Sequence, residues 1–313
     1  MDGAQTNRDF VKILLGDFKS CSLETMKISN IYSIKPDYIY IIMDYSHIMK
    51  KIRNNLVKSG KTDSYKRHLT NNGLNIYWEH FVNAYLWDIS HSPFPIHRAL
   101  THEHFHLSNE SKMRNKLAED VLNKEMLHLL KCYAASLGEY GNQLSSTIEL
   151  LEHTSVLVSN FRDNRPIRDV GDERLQQNQK VLSFFKDWEM SILSNTSIKD
   201  KEKCMISHQT RADICSLIIG FHEMWCDKLK SGSTSIIPSR INSDVIENVF
   251  CQQRGLYNGN NTNPTYLNYC RTMNAVILGQ TTISRKSDAG PDAPVTQPFS
   301  QNFNIGKKNP PST

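Results

Sequence analysis

The sequence predicts a mainly α-helical protein with a minor β component. Most of the chain carries apolar residues at the three- and four-residue spacing of a helix, whereas only one or two short runs read as strands. A mainly parallel α/β enzyme needs several more strands than that. With 313 residues, 39% of them hydrophobic, the chain is long enough for a substantial core in one or two domains.

Composition narrows the class of protein. The formal net charge of +5 permits a nucleic-acid partner without requiring one. Seven cysteines, an odd number with no C-x-x-C pair, argue against a disulfide framework or a zinc knuckle and favour a reducing compartment. The first residues lack the apolar stretch of a signal peptide, and no apolar run is long enough to cross a bilayer. We therefore predict a soluble intracellular protein, nuclear or cytoplasmic, not secreted and without a membrane partner.

The first predicted elements are a helix, a strand and a second helix. The opening helix has apolar side chains on one face: Phe10, Ile13 and Leu14. Residues 38–42 form a continuous β-branched and aromatic run, which predicts a buried strand ending at Asp44. Ser46 is placed to cap the next helix, whose apolar stripe is Ile48, Ile52 and Leu56.

Helices are predicted through most of the remaining chain. Residues 113–193 are helical throughout, with one apolar face kept over several turns by Leu144, Ile148, Leu151 and Val158. A later stripe consists of Ile214, Leu217, Ile218, Phe221 and Trp225. A serine-rich linker at 231–239 precedes two further helices, roughly 244–254 and 265–278. The tail, 281–313, is polar and proline-rich, which predicts disorder.

Residues 102–106 read HEHFH, which formally matches the H-E-x-x-H zinc signature of metallopeptidases. A zinc peptidase places both histidines on one face of a long, mostly apolar helix. Here Pro93 and Pro95 precede the segment and Leu-Ser-Asn-Glu-Ser follows it, so there is little room for such a helix. We interpret the segment as a polar loop or the start of a surface helix; the peptidase hypothesis requires bound zinc.

The end of the predicted strand is a second candidate site. Asp44 lies where α/β proteins collect ligands, although an ordinary Asx turn would place an aspartate there too. His47 is either part of such a site or a satisfied core histidine. The following helix has a basic face, made by Lys50, Lys51, Arg53 and Lys58. Such a face suits phosphate groups, and it is equally typical of a solvated surface.

Acidic residues near both ends of the sequence are the remaining candidates. Asp2 precedes a glycine turn, where it could bind a metal or cap the first helix. Asp244 and Glu247 are three residues apart, so they share a helix face with Cys251 and Arg254. Taken alone, D-x-x-E at the start of a helix favours a cap over a metal site.

Taken together, these segments resemble the P-element superfamily of cut-and-paste DNA transposases, which includes the THAP-domain-containing transposases. Residues 2–8 match a D-G-A-x-x-N-R segment, and residues 44–56 match D-x-x-H followed by K-x-x-R-N-N-L. Residues 244–265 match D-x-x-E-x-x-F with R-G and N-x-P-T downstream. The family's L-T-x-x-H stretch matches residues 100–104. The resemblance therefore accounts for the apparent zinc motif without a peptidase role. The resemblance extends to about residue 280.

The resemblance implies a domain organisation. It places a partial RNase H-like α/β core in residues 1–61 and 236–280, interrupted by a large all-helical insertion domain at 62–235. The family's insertion domain is linked to GTP binding, so GTP is a candidate ligand. Because the sequence has no G-x-x-x-x-G-K-[ST] segment, any nucleotide site is not a P-loop.

The resemblance also implies a chemistry. Two aspartates and a glutamate of the family hold two Mg²⁺ or Mn²⁺ ions for phosphoryl transfer, and Asp2 and Glu247 match two of these three. Asp44 and His47 match the supporting D-x-x-H motif. The implied DNA contacts are Lys50, Lys51, Arg53 and Arg254.

The implied partners are DNA, namely transposon ends, and a second copy of the chain. The family's first catalytic aspartate and its zinc finger precede the D-G-A segment, so we expect the sequence to be the C-terminal part of a transposase that does not cleave DNA alone. The alternative is a domesticated, catalytically dead module that binds DNA or protein.

Overall fold

A computed structural model describes residues 5–15, 24–31, 33–34, 37–91, 93–230, 235–255 and 265–282. The chain divides into two compact units, Met1–Asn242 and Ser243–Thr313, and each is described by itself. Within the described residues, regular structure consists of helices and two small antiparallel sheets of two strands each. The prediction of a mainly α protein with a minor β component is confirmed.

In the first unit, two short hairpins separate the first three helices, and five more helices follow. Its helices are α1 Gln5–Leu15, α2 Tyr45–Val57, α3 Trp78–His91, α4 Asn115–Leu122, α5 Lys124–Ser136, α6 Ser145–Phe161, α7 Glu173–Ser194 and α8 His208–Lys230. Its strands are β1 Lys27–Ser29, β2 Tyr38–Tyr40, β3 Thr70–Asn71 and β4 Leu74–Asn75. Strand β1 pairs with β2, with Ile28 opposite Ile39. Strands β3 and β4 meet at Asn72-Gly73, both with positive φ, as a tight hairpin turn requires.

The second unit contains two helices, α9 Asp244–Gly255 and α10 Tyr266–Thr282, which contact each other. Both lie close to their predicted bounds. Residues 283–313, which make up most of the predicted disordered tail, lie outside the described residues.

Helix α8 is the central element of the first unit. Its residues from Thr210 to Phe221 are buried without interruption, and it contacts α2, α7 and both strands of the first hairpin. The predicted apolar stripe from Ile214 to Trp225 is therefore confirmed. Helix α2 buries its predicted stripe as completely, since Ile48, Ile52 and Leu56 are each at most 1% exposed. Full burial of one such side chain stabilises the fold by about 1.5 to 3 kcal/mol.

The predicted core face of α1 is wrong for Phe10 and Ile13, whereas the third predicted residue, Leu14, is partly buried against the core. Val11 is buried, whereas Phe10 and Ile13 are 54% and 81% exposed. An apolar pattern over 11 residues is compatible with more than one face of a helix. The face that contacts α8 also carries Arg8, which forms an ion pair with Asp213. The ion pair thus helps to hold α1 against α8, and a pattern of apolar residues could not predict it.

The strand predicted at residues 38–42 is shorter and less buried than expected. Strand β2 ends at Tyr40, and Tyr38 and Ile39 are both about 40% exposed. Burial begins after the strand, at Ile41 and Met43. Consecutive side chains of a strand point to opposite faces, so the exposure of both Tyr38 and Ile39 shows that neither face is fully covered in this two-stranded hairpin.

The predicted linker at 231–239 is partly structured. Ile236 pairs with Ile167 through two backbone hydrogen bonds of 2.8 and 3.0 Å, while residues 231–234 lie outside the described residues. The observed division after Asn242 lies near the predicted boundary at 235/236. The three-part division into core, insertion and C-terminal helices stays a prediction.

The HEHFH segment forms a three-residue 3-10 helix, His102–His104, that begins after Thr101. His104 is buried, so the expected polar loop is wrong for this side chain. Its Nδ1 lies 3.0 Å from the backbone nitrogen and from Oγ1 of Thr101, and its Nε2 lies 3.4 Å from Oδ2 of Asp120. Both ring nitrogens therefore contribute to the local fold.

The described residues hold neither a disulfide nor a membrane-spanning candidate. Six of the seven cysteines lie among them, and none of these six is cross-linked. Across the same residues, each helix is too short or too polar to span a bilayer.

His80 on α3 should make the fold sensitive to acid. Burial lowers the pKa of His80 to about 4, and its Nδ1 lies 2.8 Å from Oγ1 of the buried Thr147. Because the unfolded chain takes up this proton near pH 6.5 and the folded chain only near pH 4, stability is full above pH 6.5 and falls between these values. Allowing for partial solvent access, the loss is about 2 kcal/mol.

Urea unfolding at pH 7.5 and pH 4.5 checks this expectation. His80→Gln keeps a polar contact to Thr147 and removes the titration, so the difference in unfolding free energy between the two pH values should shrink. His128→Gln, at an exposed position on α5, is the matched control. An unchanged difference in the His80 variant would contradict the assignment.

Candidate functional site

Helices α1, α2 and α8 meet at one buried carboxylate, Asp213. Its Oδ2 accepts hydrogen bonds from Nη2 of Arg8 at 2.6 Å and from Nζ of Lys51 at 2.8 Å. The side chain of Asp213 is 1% exposed, against 12% for Arg8 and 29% for Lys51. Arg8 closes the predicted D-G-A-x-x-N-R segment, and Lys51 lies on the helix after the D-x-x-H motif. The structure therefore joins two of the predicted segments through a third residue.

One carboxylate oxygen of the junction has no partner among the described residues. Oδ1 of Asp213 is buried and has no hydrogen-bond partner among the described residues. Leaving such an atom unpaired costs about 1 to 3 kcal/mol. A cavity of about 150 Å³ adjoins the junction, lined by Arg8, Lys12, Met26, Met43, His208 and Asp213. A donor group bound there would complete the hydrogen bonding of the carboxylate.

Asp44 acts as the N-cap of α2. Its Oδ1 accepts hydrogen bonds from the backbone nitrogens of Ser46 at 2.7 Å and His47 at 3.3 Å, and from Oγ of Ser46 at 2.6 Å. The N-cap of α2 is thus Asp44. The sequence had suggested Ser46 as the cap, and that prediction is wrong. Asp44 is 2% exposed, which fits the Asx-turn interpretation. A supporting role of Asp44 and His47 in chemistry stays a prediction.

The predicted basic face of α2 is wrong for one of its four residues, Arg53. Arg53 is 0% exposed; its Nη2 donates to the carbonyl oxygen of Lys112 at 2.7 Å, and its Nε donates to Oδ1 of Asn54 at 2.9 Å. Burial lowers the pKa of Arg53 to about 10. Lys50 is half-buried and Lys51 binds Asp213, so Lys58 alone of these four described side chains is exposed. The helix therefore offers no continuous basic surface.

The start of α2 lies beside a polar cluster in which Glu119 is buried and Arg162 is exposed. Arg162 forms a two-pronged ion pair with Glu119, with Nη2 to Oε1 at 2.7 Å and Nε to Oε2 at 3.0 Å. The ring of Tyr45 stacks on Phe161 with centroids 5.6 Å apart. Burial and, second, the charge of Glu119 raise the pKa of Tyr45 well above its ordinary value. The cluster holds the first turn of α2 against α4 and the end of α6.

The predicted metal ligands are not brought together within the described residues. Asp2 lies outside them. Glu247 is exposed on α9, where Oγ of Ser243 donates to its Oε1 at 2.6 Å. The side chain of Arg254 lies outside the described side chains. Among the described residues, no three His, Cys, Asp or Glu side chains are grouped as a metal site would require. The approach of Asp2 to Glu247 stays a prediction.

Asp213 is the residue that the motifs missed. It lies next to the apolar stripe of α8, and a charged residue in a helix otherwise buried on all sides is a usable signal. A second signal is a row of small residues four apart: Ala212, Ser216 and Gly220. Such a row marks where another part of the backbone packs closely against a helix.

Comparison with known proteins supports the fold. No protein-family model matches the sequence, and neither does any curated protein. Among solved structures, the chain is similar to the Drosophila P element transposase strand transfer complex, with a TM-score of 0.64 at 18% identity. The likeness covers 90% of this chain and 59% of that chain. The predicted transposase-like fold is confirmed, and the chain spans less than two thirds of that transposase chain.

Proposed function

We propose that this chain is a transposase-derived protein of the cut-and-paste type, related to the P-element and THAP-domain-containing transposases. One observation supports the proposal most strongly: the fold is shared with a P element transposase over 90% of the chain. The order and spacing of the three acidic motifs support it independently. The proposed partners are DNA, in the form of transposon ends, and a second copy of the chain. The proposed compartment is the nucleus or the cytoplasm.

The proposed chemistry is metal-dependent phosphoryl transfer. Carboxylate oxygens are the ligands that Mg²⁺ and Mn²⁺ prefer, and Asp2 and Glu247 are the proposed ligands. Exposure of Glu247 on α9 is compatible with that role. When bound, such ions activate an attacking oxygen and stabilise the leaving one. Since the sequence matches two of the family's three carboxylates, we propose that this chain alone does not cleave DNA.

The junction at Asp213 is proposed to serve this chemistry indirectly. Helix α1 begins three residues after Asp2, and its contact through Arg8 fixes the helix against α8. Lys51 ties the helix capped by Asp44 to the same carboxylate. Asp213 is thus a proposed positioning residue for both motifs. GTP is a further proposed ligand, for which no residue is assigned.

Metal binding and cleavage together test the proposal. We expect the purified chain to leave supercoiled plasmid intact in Mg²⁺ or Mn²⁺, and to bind Mn²⁺ in a titration followed by electron paramagnetic resonance. Asp2→Ala and Glu247→Ala should each weaken the Mn²⁺ binding. Glu125→Ala, an exposed carboxylate on α5, is the matched control and should bind as the unaltered chain does.

Two results would contradict parts of the proposal. Metal-dependent nicking that Glu247→Ala abolishes would show that the chain cleaves DNA alone. Mn²⁺ binding unaffected by both Asp2→Ala and Glu247→Ala would remove the metal mechanism and leave the second candidate, a catalytically dead module that binds DNA or protein. DNA contact through Lys50, Lys51 and Arg254 stays a proposal, whereas the full burial of Arg53 argues against a direct contact by that side chain.

A further inference from the structure

Two chain segments that are distant in sequence form one continuous surface. Residues 58–68 follow α2, and residues 199–203 precede α8. The backbone nitrogen of His68 donates to the carbonyl oxygen of Lys203 at 2.9 Å, and Nη1 of Arg67 donates to that of Glu202 at 2.6 Å. Within the first segment, the backbone nitrogen of Arg67 donates to the carbonyl oxygen of Lys58 at 2.9 Å. These bonds fix the two segments side by side.

This surface, which we call the lysine patch, holds most of the net charge of the protein. Residues 58–68 contain four lysine or arginine residues and one acid, a net charge of +3. Residues 199–203 contain three lysines and two acids, a net charge of +1. Together they carry +4, against +5 for the whole chain. The patch therefore has a local excess of positive charge, whereas the rest of the chain is close to neutral in sum, and such an excess suits an electrostatic binding surface.

Several cations of the patch are available to a partner. Four of its lysines are exposed, and the described residues offer them no ion pair: Lys58, Lys61, Lys66 and Lys199. Lys203 is also exposed, although it pairs with Asp200 at 2.9 Å. Arg67 is half-buried and holds the scaffold through the carbonyl oxygens of Glu202 and Met205. Arg67 thus holds the two segments together, while the exposed lysines remain accessible to a partner.

We propose that the lysine patch binds the phosphate backbone of duplex DNA. The inference rests on the proposed function and specifies its contact surface, which includes Lys58 of the predicted basic face and none of the buried or ion-paired residues of that face. Lysine ammonium groups are point charges suited to phosphates and carry no base recognition, so the contact is independent of sequence. Among the described residues of the patch, no large apolar side chain is exposed, which disfavours insertion into a membrane surface.

A charge-matched pair of variants tests the proposal. The patch variant combines Lys61→Gln, Lys66→Gln and Lys199→Gln. The control variant combines three exposed lysines elsewhere in the first unit: Lys124→Gln, Lys180→Gln and Lys230→Gln. Both lower the net charge by three, and circular dichroism with thermal unfolding checks that both fold. Fluorescence anisotropy with a labelled random-sequence duplex, repeated across a salt series, gives the affinity and its salt dependence.

We expect the unaltered chain to bind more weakly as salt rises. In the patch variant, the slope of log affinity against log salt should shrink by about 2 to 3, since each lost phosphate contact accounts for about 0.9. The affinity at low salt should fall about tenfold or more. The control variant should retain the slope and affinity of the unaltered chain.

The remaining outcomes separate the failures. If both variants bind the duplex equally weakly, the loss comes from the lower net charge, and the proposal that the lysine patch is the contact surface is overturned. Unchanged binding by the patch variant would overturn the patch and leave the proposed function standing, whereas absence of duplex binding by the unaltered chain would count against both. Loss of binding to phosphatidylserine vesicles, with duplex binding unchanged, would assign the surface to anionic lipid instead.

Discussion

Replacing Asp213 with alanine should destabilise the first unit by about 3 to 5 kcal/mol, the usual cost of removing one partner from a buried ion pair. Arg8 and Lys51 both depend on this carboxylate at 2.6 and 2.8 Å, and the side chain of Asp213 is 1% exposed. Without it, two cations remain close together in partly buried positions. Asp213→Asn keeps the shape and removes the charge, so it should be destabilised too, by less than Asp213→Ala.

Urea unfolding followed by circular dichroism measures the loss in stability, and amide hydrogen exchange locates it. We expect the amides of α1 to exchange faster in Asp213→Ala, because Arg8 loses its anchor on α8. Asp200→Ala is the matched control, since Asp200 pairs with Lys203 at 54% exposure and such surface pairs contribute at most about 1 kcal/mol.

The measured loss decides whether the ion pairs of Asp213 with Arg8 and Lys51, which we call the clamp, hold α1 and α2 against α8 or contribute little to stability. A loss no larger than that of Asp200→Ala would contradict the clamp. In a double-mutant cycle, Arg8→Met and Asp213→Ala should show a coupling energy, because the two side chains are in contact. Additive effects would mean that α1 docks through Val11 and its apolar neighbours alone.

The clamp has a consequence for the predicted domain organisation. Arg8 and Lys51 lie in the segment predicted as core, whereas Asp213 lies in the segment predicted as helical insertion. A buried carboxylate from one segment therefore neutralises cations from the other. Both segments fall within the same compact unit, Met1–Asn242. The ion pairs of Asp213 with Arg8 and Lys51 thus cross the predicted boundary near residue 61.

Sequence patterns predicted the elements whose burial depends on local spacing. The stripe from Ile214 to Trp225 and that from Ile48 to Leu56 are buried as expected, because a three- and four-residue repeat of apolar side chains fixes a helix face wherever the helix packs. The ends of α9 and α10 also lie close to their predicted positions. No long-range information was needed for these features.

The features that were missed depend on contacts between distant residues. Arg53 reads as a surface cation until the carbonyl oxygen of Lys112, 59 residues later, is seen to accept its hydrogen bond. Asp213 is separated from Arg8 by 205 residues and from Lys51 by 162. The exposure of Phe10 and Ile13 on α1 has the same origin, since Arg8 contributes to docking only because Asp213 lies opposite. One sequence without homologues offers no signal for such pairs beyond a charge in an apolar helix.

Substitution of Gly220 on α8 should be the second severe change. A Cβ atom at this position would lie 2.3 Å from the carbonyl oxygen of Ile41, which belongs to the backbone and has little freedom to move. One turn earlier, Oγ of Ser216 donates to the same oxygen at 3.1 Å. We expect Gly220→Val to destabilise the protein by about 3 kcal/mol or more, and Gly220→Ala by about 1 to 3 kcal/mol, since overpacking displaces the backbone.

Whether Gly220→Ala raises or lowers the free energy of unfolding shows which effect dominates, the clash with the Ile41 carbonyl oxygen or the helix propensity of alanine. In a helix interior, alanine is more favourable than glycine by about 1 kcal/mol, so propensity alone predicts that Gly220→Ala stabilises the protein. Gly171→Ala, in the turn before α7, is a control for an added methyl group without a backbone clash, because its Cβ would meet only a side-chain oxygen of Asp169, at 3.1 Å. Urea unfolding of both variants gives the comparison. If Gly220→Ala is as stable as the unaltered chain, the segment from Ile41 to the Asp44 cap is not held against α8 as closely as the contact implies, and the other contacts of α2, among them the ion pair of Lys51 with Asp213, would position the helix.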